Sequence, residues 1–105
     1  MSLMTTVYLA FLRKGPKWTA EDSPDLDRLQ NEHLDYLFSL KRSGKLIING
    51  PLTDGGDLRG MSVYRVETQA EARALAEADP AVRAGRLMIE THPWMIEKAT
   101  LPQTS

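Results

Sequence analysis

Residues 5–12 read TTVYLAFL, a run of β-branched, aromatic and aliphatic side chains with almost no polar interruption. Such residues favour strands, and a nearly continuous apolar run is typical of a strand that is covered on both faces. Gly15-Pro16 breaks the chain soon afterwards. We therefore predict a strand over 5–12 whose two faces are both covered by other structure.

The first predicted helix follows this break. Ser23 is a suitable N-cap, Pro24 fits the first helical position, and acidic residues fill the first turn, where the helix dipole favours anions. Gly44 ends the helix. Leucines recur through it at helical spacing: Leu26, Leu29, Leu37 and Leu40. Because His33 falls on the same stripe, we expect it to face the sheet or its rim.

The remaining elements are a strand over 45–49, a strand over 60–66, a helix over 69–78 and a strand over 86–97. The Gly-rich segment 53–57 has turn chemistry and joins the two middle strands as a hairpin. Thr68 and Glu71 form a capping box at the start of the second helix. Asp79-Pro80 ends that helix, because the residue before proline disfavours the helical region, and 81–84 form a further short turn.

This order of elements predicts an α+β class, with a ferredoxin-like βαββαβ fold in which two helices lie on one face of a four-stranded antiparallel sheet. The other face of the sheet stays partly apolar, so we expect a homodimer through the sheet face, a dimeric α+β barrel. Residues 4–98 are expected to form one domain, with 1–3 as a cloning remnant and 99–105 as a flexible tail.

The charge and composition of the 105 residues exclude several classes of protein. The formal net charge is −1, so there is no basic field to attract nucleic acid. No cysteine is present, which removes disulfides, thiolate nucleophiles and thiolate metal sites. No apolar run approaches the about 20 residues that span a bilayer, and the first residues lack the features of a signal peptide. We therefore expect a cytoplasmic protein with no nucleic-acid partner and no membrane segment.

Two residues are candidates for acid–base chemistry. An imidazole side chain suits an acid or a base, so His33 is a candidate, although a half-buried histidine satisfied by a backbone or side-chain partner is the more ordinary case. Asp79 fits a turn residue that caps the following turn, and that role alone accounts for it. The alternative is a carboxylate that orients His33 and stabilises its protonated form. The residues alone leave open whether the two side chains meet.

Other features carry weaker signals. Gly50 and Pro51 could form a wall that lets a ligand approach the backbone, but any hairpin needs such residues too. No phosphate-binding loop is present, and His92 could supply only half of a metal site with His33, so we predict no cofactor and no metal. Aromatic residues that could wall a pocket, or belong to the core or a dimer contact, are Tyr8, Trp18, Tyr36, Tyr64 and Trp94.

The ordered set of these motifs resembles the YciI-like (YCII-related) family from about residue 5 to 97. It comprises Glu32-His33-Leu34, Tyr36-Leu37, Gly50-Pro51-Leu52, Gly60, Asp79-Pro80, Ala84-Gly85 and Pro93-Trp94. The resemblance implies a ferredoxin-like fold, a dimer, and His33 with Asp79 as the active-site pair. It also implies proton-transfer chemistry on a small ring compound, since a relative is implicated in dehydrochlorination. The segment 14–22 departs from the family pattern and is either a lid or a surface excursion.

Two functions therefore compete. The first is a small lyase- or isomerase-type enzyme in which His33 and Asp79 act as an acid–base pair, with Gly50, Pro51 and Tyr36 binding a small organic substrate. The alternative is a non-catalytic dimeric module that binds a small molecule or serves an accessory role. It rests on the lack of any strong nucleophile, metal or cofactor motif in the sequence.

Overall fold

The structure is a computed structural model that describes residues 2–102. Its elements are β1 (Met4–Lys14), α1 (Pro24–Arg42), β2 (Leu46–Pro51), β3 (Leu58–Tyr64), α2 (Gln69–Glu77), α3 (Pro80–Arg83) and β4 (Leu87–Glu97), followed by a 3₁₀ turn at Lys98–Thr100. The expectations of a remnant at residue 1 and of a flexible tail at 103–105 lie outside the described residues.

The four strands form one antiparallel sheet in the order β2-β3-β1-β4. β1 is a central strand, and its register places Tyr8 opposite Tyr64 on one side and Ala10 opposite Thr91 on the other. Helices cover the face of β1 that carries Ala10, whereas no described helix covers its other face, so the expected cover on both faces is not present within residues 2–102. The predicted α+β class and ferredoxin-like arrangement are confirmed.

The strand ends differ from the predicted ones because pairing, not local composition, decides where a strand stops. β1 runs on to Lys14, which pairs with Leu87 at the start of β4. β3 begins at Leu58, which pairs with Arg13 beyond a register shift that leaves Arg59 of β3 without a partner in β1. The segment after Asp79 forms the short helix α3, so three helices are present where two and a turn were predicted.

The helix caps follow the sequence closely. The Ser23 hydroxyl accepts a hydrogen bond from the Leu26 N–H at 3.1 Å, and the Thr68 hydroxyl accepts one from the Glu71 N–H at 3.1 Å. The predicted capping box is only half formed, because the Glu71 carboxylate lies 3.7 Å from Lys45 Nζ. Each cap satisfies an amide that the first helical turn leaves without an internal partner.

The main core lies between the helices and one face of the sheet. Small residues of α2 allow that helix to lie close against the strands, and α1 contributes its leucine stripe. The buried residues of this core are Ala10, Leu37, Leu40, Leu46, Tyr64, Ala72 and Ala76. A smaller cluster of Leu12, Ala81 and Leu87 packs beneath α3. Packing in the two clusters sets the relative positions of α1, α3 and the adjoining strands. These elements surround the site described below.

The opposite face of the sheet carries apolar side chains that none of the described helices covers. Cross-strand partners share a face, so Trp94 opposite Val7 and Ile48 opposite Val63 lie on the side away from Ala10 and Tyr64. Trp94 is 48% exposed and Ile48 is 62% exposed. Within residues 2–102, no helix has the length and apolar character that crossing a membrane requires.

Candidate active site

A cavity of about 320 Å³ opens between α1 and the sheet. Its apolar part is formed by Leu12, Leu37, Ala81 and Leu87, which belong to the two core clusters or border them. His33 reaches it from α1, and Gly50 and Pro51 line it from the end of β2. A concave site of this size that combines apolar walls with a few polar groups is the usual form of a small-molecule site.

His33 and Asp79 meet behind the wall of this cavity. His33 Nδ1 lies 2.6 Å from Asp79 Oδ2, and the side chains are 11% and 2% exposed. The helix α1 supplies the histidine, while the junction between α2 and α3 supplies the aspartate. The two residues are 46 positions apart in the chain, so tertiary packing alone brings them together.

Asp79 makes the contacts that both of its possible roles require. Its Oδ1 accepts a hydrogen bond from the Ala81 N–H at 2.9 Å, which makes it the N-cap of α3. Its Oδ2 is free for His33. A carboxylate fixed by one oxygen at a helix start has a defined orientation for the other, so the cap holds the partner of the histidine in place.

The pair sets the tautomer of the imidazole. A buried carboxylate accepts hydrogen bonds, so the neutral ring donates from Nδ1 and keeps a lone pair on Nε2. No described protein group forms a hydrogen bond to Nε2, while the His33 side chain lines the cavity. This arrangement leaves Nε2 as the ring nitrogen able to take a proton from a bound molecule and return it.

Tyr36 does not reach the cavity, although the sequence suggested it as a substrate-binding residue. Its hydroxyl donates to the Leu75 carbonyl oxygen at 2.6 Å, and its ring packs against the main core. Burial and, to a lesser extent, the negative charge of Asp79 raise the pKa of Tyr36. Burial, then Tyr36 and Asp79, raise the pKa of Tyr64 as well. Both phenols therefore stay protonated near neutral pH and serve the fold.

Gly50 and Pro51 line the cavity wall, where the sequence suggested them. The glycine that allows the two strands to approach closely here is, however, Gly60 and not Gly50. A Cβ on Gly50 would meet no described atom within 4 Å, whereas one on Gly60 would lie 3.0 Å from the Gly50 carbonyl oxygen. The close approach of β2 and β3 at this edge of the cavity therefore depends on Gly60.

Two polar residues of the cavity were not predicted. Asn49 Oδ1 and Ser62 Oγ are buried and have no hydrogen-bond partner within the part of the chain that the structure describes. Both residues line the cavity. A buried polar atom without a partner costs free energy, so such atoms in a cavity wall are suited to a bound ligand or water. The alternation of β3 could have indicated Ser62, because it shares a face with the buried Tyr64.

The segment 14–22 also lies at the cavity. Its Gly15 and Lys17 amides donate to the carbonyl oxygens of Arg86 and Gly85 at 2.8 and 2.9 Å, and Trp18 then lines the cavity. A Cβ on Gly15 would lie 2.3 Å from the Gly85 carbonyl oxygen, so this contact requires a glycine. The segment is therefore anchored to the start of β4 and forms one wall of the site.

His92 lies apart from this site. It is opposite Leu9 in the register, on the face of the sheet away from the helices, and its Nε2 lies 2.5 Å from Glu90 Oε2. The hydrogen bonds from His92 and then from Arg13 lower the pKa of Glu90. Across residues 2–102 there is no group of three or more His, Cys, Asp or Glu side chains placed to hold a metal ion.

These observations define a small ferredoxin-like α+β protein with a histidine–aspartate pair at a polar cavity between helix and sheet. Residues 7–93 match the model of the YCII-related domain, and the chain belongs to that family. Its structure resembles that of 5-chloro-2-hydroxyhydroquinone dehydrochlorinase from Burkholderia phenoliruptrix in complex with 2,5-dihydroxybenzoquinone. The TM-score is 0.57 at 24% sequence identity, over 84% of this chain and 92% of the other. No curated protein matches the chain.

Proposed function

We propose that the protein is a lyase-type enzyme that eliminates a leaving group from a small organic ring compound. The observation that carries this proposal is the 2.6 Å contact between His33 Nδ1 and Asp79 Oδ2 at the wall of a cavity. A histidine held by a buried carboxylate, with no described partner on its other ring nitrogen and its side chain in a cavity wall, is an arrangement suited to general acid–base catalysis.

In the proposed reaction, the bound compound first takes its keto form: a ring hydroxyl loses its proton and the carbon that carries the leaving group gains one, which makes that carbon tetrahedral. His33 Nε2 then removes a proton from another hydroxyl oxygen or from the carbon next to the leaving group. The electron pair released by that bond forms a new double bond, and the leaving group departs with the electron pair of its own bond. Asp79 stabilises the imidazolium that forms, and the proton then passes to water, which restores His33. The net change is the loss of a proton and an anion, and it consumes no oxidant or reductant.

The leaving group proposed here is chloride. The structurally similar protein is a dehydrochlorinase, and its structure contains a bound dihydroxylated ring compound. A ring of that size is compatible with a cavity of about 320 Å³. The apolar wall of the cavity would accept the ring. Asn49 Oδ1 and Ser62 Oγ, which have no partner within residues 2–102, would accept hydrogen bonds from its hydroxyl groups.

Chloride release tests this function. The purified protein is incubated with 5-chloro-2-hydroxyhydroquinone and with a panel of other chlorinated hydroxyaromatic compounds, and free chloride is measured against a blank without protein. We expect release above the blank for at least one compound. Binding of these compounds in the cavity without any chloride release would instead favour the non-catalytic binding module.

We further propose that the chain is a cytoplasmic homodimer joined through the sheet face that carries Trp94 and Ile48. Exposed apolar side chains grouped on one face support this proposal, because such a face is usually covered by another chain. On the same face the ring of Phe11 lies 5.5 Å from that of His92, which gives this surface an aromatic centre.

The Trp94→Lys substitution is expected to produce a monomer, because it replaces an apolar contact at the proposed interface with a strongly hydrated charge. The matched control is Phe38→Lys, which alters a side chain that is 59% exposed on α1, away from the sheet face. Sedimentation velocity measures both variants beside the unmodified protein. A monomeric unmodified protein, or dissociation by Phe38→Lys alone, would contradict the proposed interface.

A further inference from the structure

Two arginines converge on one indole ring at the cavity. Arg86 Cζ lies 4.1 Å from the centroid of the Trp18 ring, and Arg59 Cζ lies 4.8 Å from it. Lys14 Nζ is 5.7 Å from the same centroid. Trp18, Arg59 and Arg86 all line the cavity that contains His33, although they come from three separate parts of the chain. We refer to these three cavity-lining residues as the arginine–tryptophan cluster.

Most N–H groups of the two guanidinium groups have no acceptor within the part of the chain that the structure describes. Arg59 Nη1 donates to the Gly56 carbonyl oxygen at 3.1 Å, and Arg86 Nη1 donates to the Thr19 carbonyl oxygen at 3.0 Å. Among residues 2–102, neither guanidinium has a carboxylate oxygen within 4.0 Å. A guanidinium that packs on an indole by its face keeps the N–H groups of its edge available, and those groups match an anionic oxygen.

The ionisable side chains that line the cavity are all basic. No described Asp or Glu lines it, so its wall contains two guanidinium groups and a histidine without an acidic side chain. The nearby Asp79 is 2% exposed, and its oxygens are occupied by His33 and by the Ala81 N–H. A concave surface that carries charge of one sign attracts small ligands of the opposite sign.

We propose that the arginine–tryptophan cluster is an anion subsite and that the compound bound in the cavity is a small organic anion. Its carboxylate or ionised ring hydroxyl is held by Arg59 and Arg86, while its polar substituents reach Asn49 and Ser62. Trp18 positions the two guanidinium groups. That this anion is also the compound on which His33 acts rests on the proposed function, whereas the binding itself does not.

The experiment uses NMR titration to measure how tightly the unmodified protein and four variants bind charged and neutral aromatic probes of similar shape. Benzoate and 4-nitrophenolate carry the two kinds of anionic oxygen, and benzamide is the neutral isostere of benzoate. We expect the unmodified protein to bind at least one of the anions about tenfold or more tightly than benzamide. Preference between benzoate and 4-nitrophenolate shows whether the subsite selects a carboxylate or an ionised ring hydroxyl.

The variants are Arg59→Gln, Arg86→Gln, Arg59→Lys and the control Arg83→Gln, whose guanidinium lies on α3 and does not line the cavity. We expect each glutamine variant of the subsite to weaken anion binding about tenfold and to leave benzamide unchanged. Arg59→Lys keeps the charge without the planar fork, so its loss should be smaller. Anion affinity should also fall as salt is added.

The outcome is separable from that of the proposed function. If the protein binds anions through Arg59 and Arg86 but releases no chloride, the proposed subsite stands and only the proposed reaction is refuted. An affinity for both anions no greater than that for benzamide, including the absence of any binding, overturns the subsite. Equal weakening of anion binding by Arg83→Gln and by the two subsite variants overturns it as well.

Discussion

Replacement of His33 by glutamine is expected to lower the rate of chloride release by about 10²–10⁴-fold, the usual contribution of a positioned general base. Glutamine has a similar reach and can still form a hydrogen bond to Asp79, but it cannot take up a proton near neutral pH. The buried contact with the carboxylate is therefore kept in part while the proposed chemistry is lost. The measurement is the initial rate of chloride release at saturating concentration of the compound.

The matched control is His92→Gln. It removes the only other histidine of the chain, which lies on the opposite face of the sheet and is paired with Glu90. Because His92 lies on the proposed dimer face, sedimentation velocity must show that this variant keeps the oligomeric state of the unmodified protein. Its rate should then not change, and thermal unfolding should show that both variants are folded. A His33→Gln variant that keeps the full rate, or an equal loss in both variants, would refute the proposed role of His33.

Replacement of Asp79 by alanine is expected to lower the free energy of unfolding by about 2–4 kcal/mol. Two lost hydrogen bonds together account for this value. One caps α3 at the Ala81 N–H, and the other satisfies the buried N–H of the His33 imidazole. Asp79→Asn should cost less, because an asparagine oxygen can still cap the helix. It should nevertheless lower the rate by about 10²–10⁴-fold, since an amide N–H facing Nδ1 favours the tautomer with its proton on Nε2.

Urea unfolding measures the stability of both variants and chloride release their activity. Asp57→Asn is the control, because that carboxylate is 63% exposed and pairs with Arg13 at 3.4 Å on the surface. Surface pairs of this kind contribute about 0–1 kcal/mol. If Asp79→Asn retains both the fold and the full rate, the aspartate is a helix cap and nothing more.

The architecture could be predicted from the sequence because local signals and the fold agree. The run at 5–12, the caps at Ser23 and Thr68, and the break at Asp79-Pro80 each indicate an element that the structure contains. Strand ends were less predictable, because a strand continues as long as its neighbour offers hydrogen bonds. Lys14 illustrates this, since only its partner Leu87 makes it part of β1.

The site was predictable only in part. His33 was indicated by its place on the leucine stripe, but its contact with Asp79 depends on how α1 packs against the junction of α2 and α3. Tyr36 lies one helical turn from His33 and is predicted to bind the substrate, yet its hydroxyl donates to the Leu75 carbonyl oxygen. Arg59 and Arg86 carried no local signal at all, because their relation to Trp18 exists only in the folded chain.

The most direct test of the central claim is the tautomer of each histidine, read from NMR spectra of the imidazole nitrogens in the neutral rings. The two rings should differ, because the carboxylate partner contacts Nδ1 in His33 and Nε2 in His92. We expect His33 to carry its proton on Nδ1, leaving Nε2 free at the cavity, and His92 to carry its proton on Nε2. A His33 with its proton on Nε2, or with no preference between the two nitrogens, would contradict the account of an Asp79-oriented base.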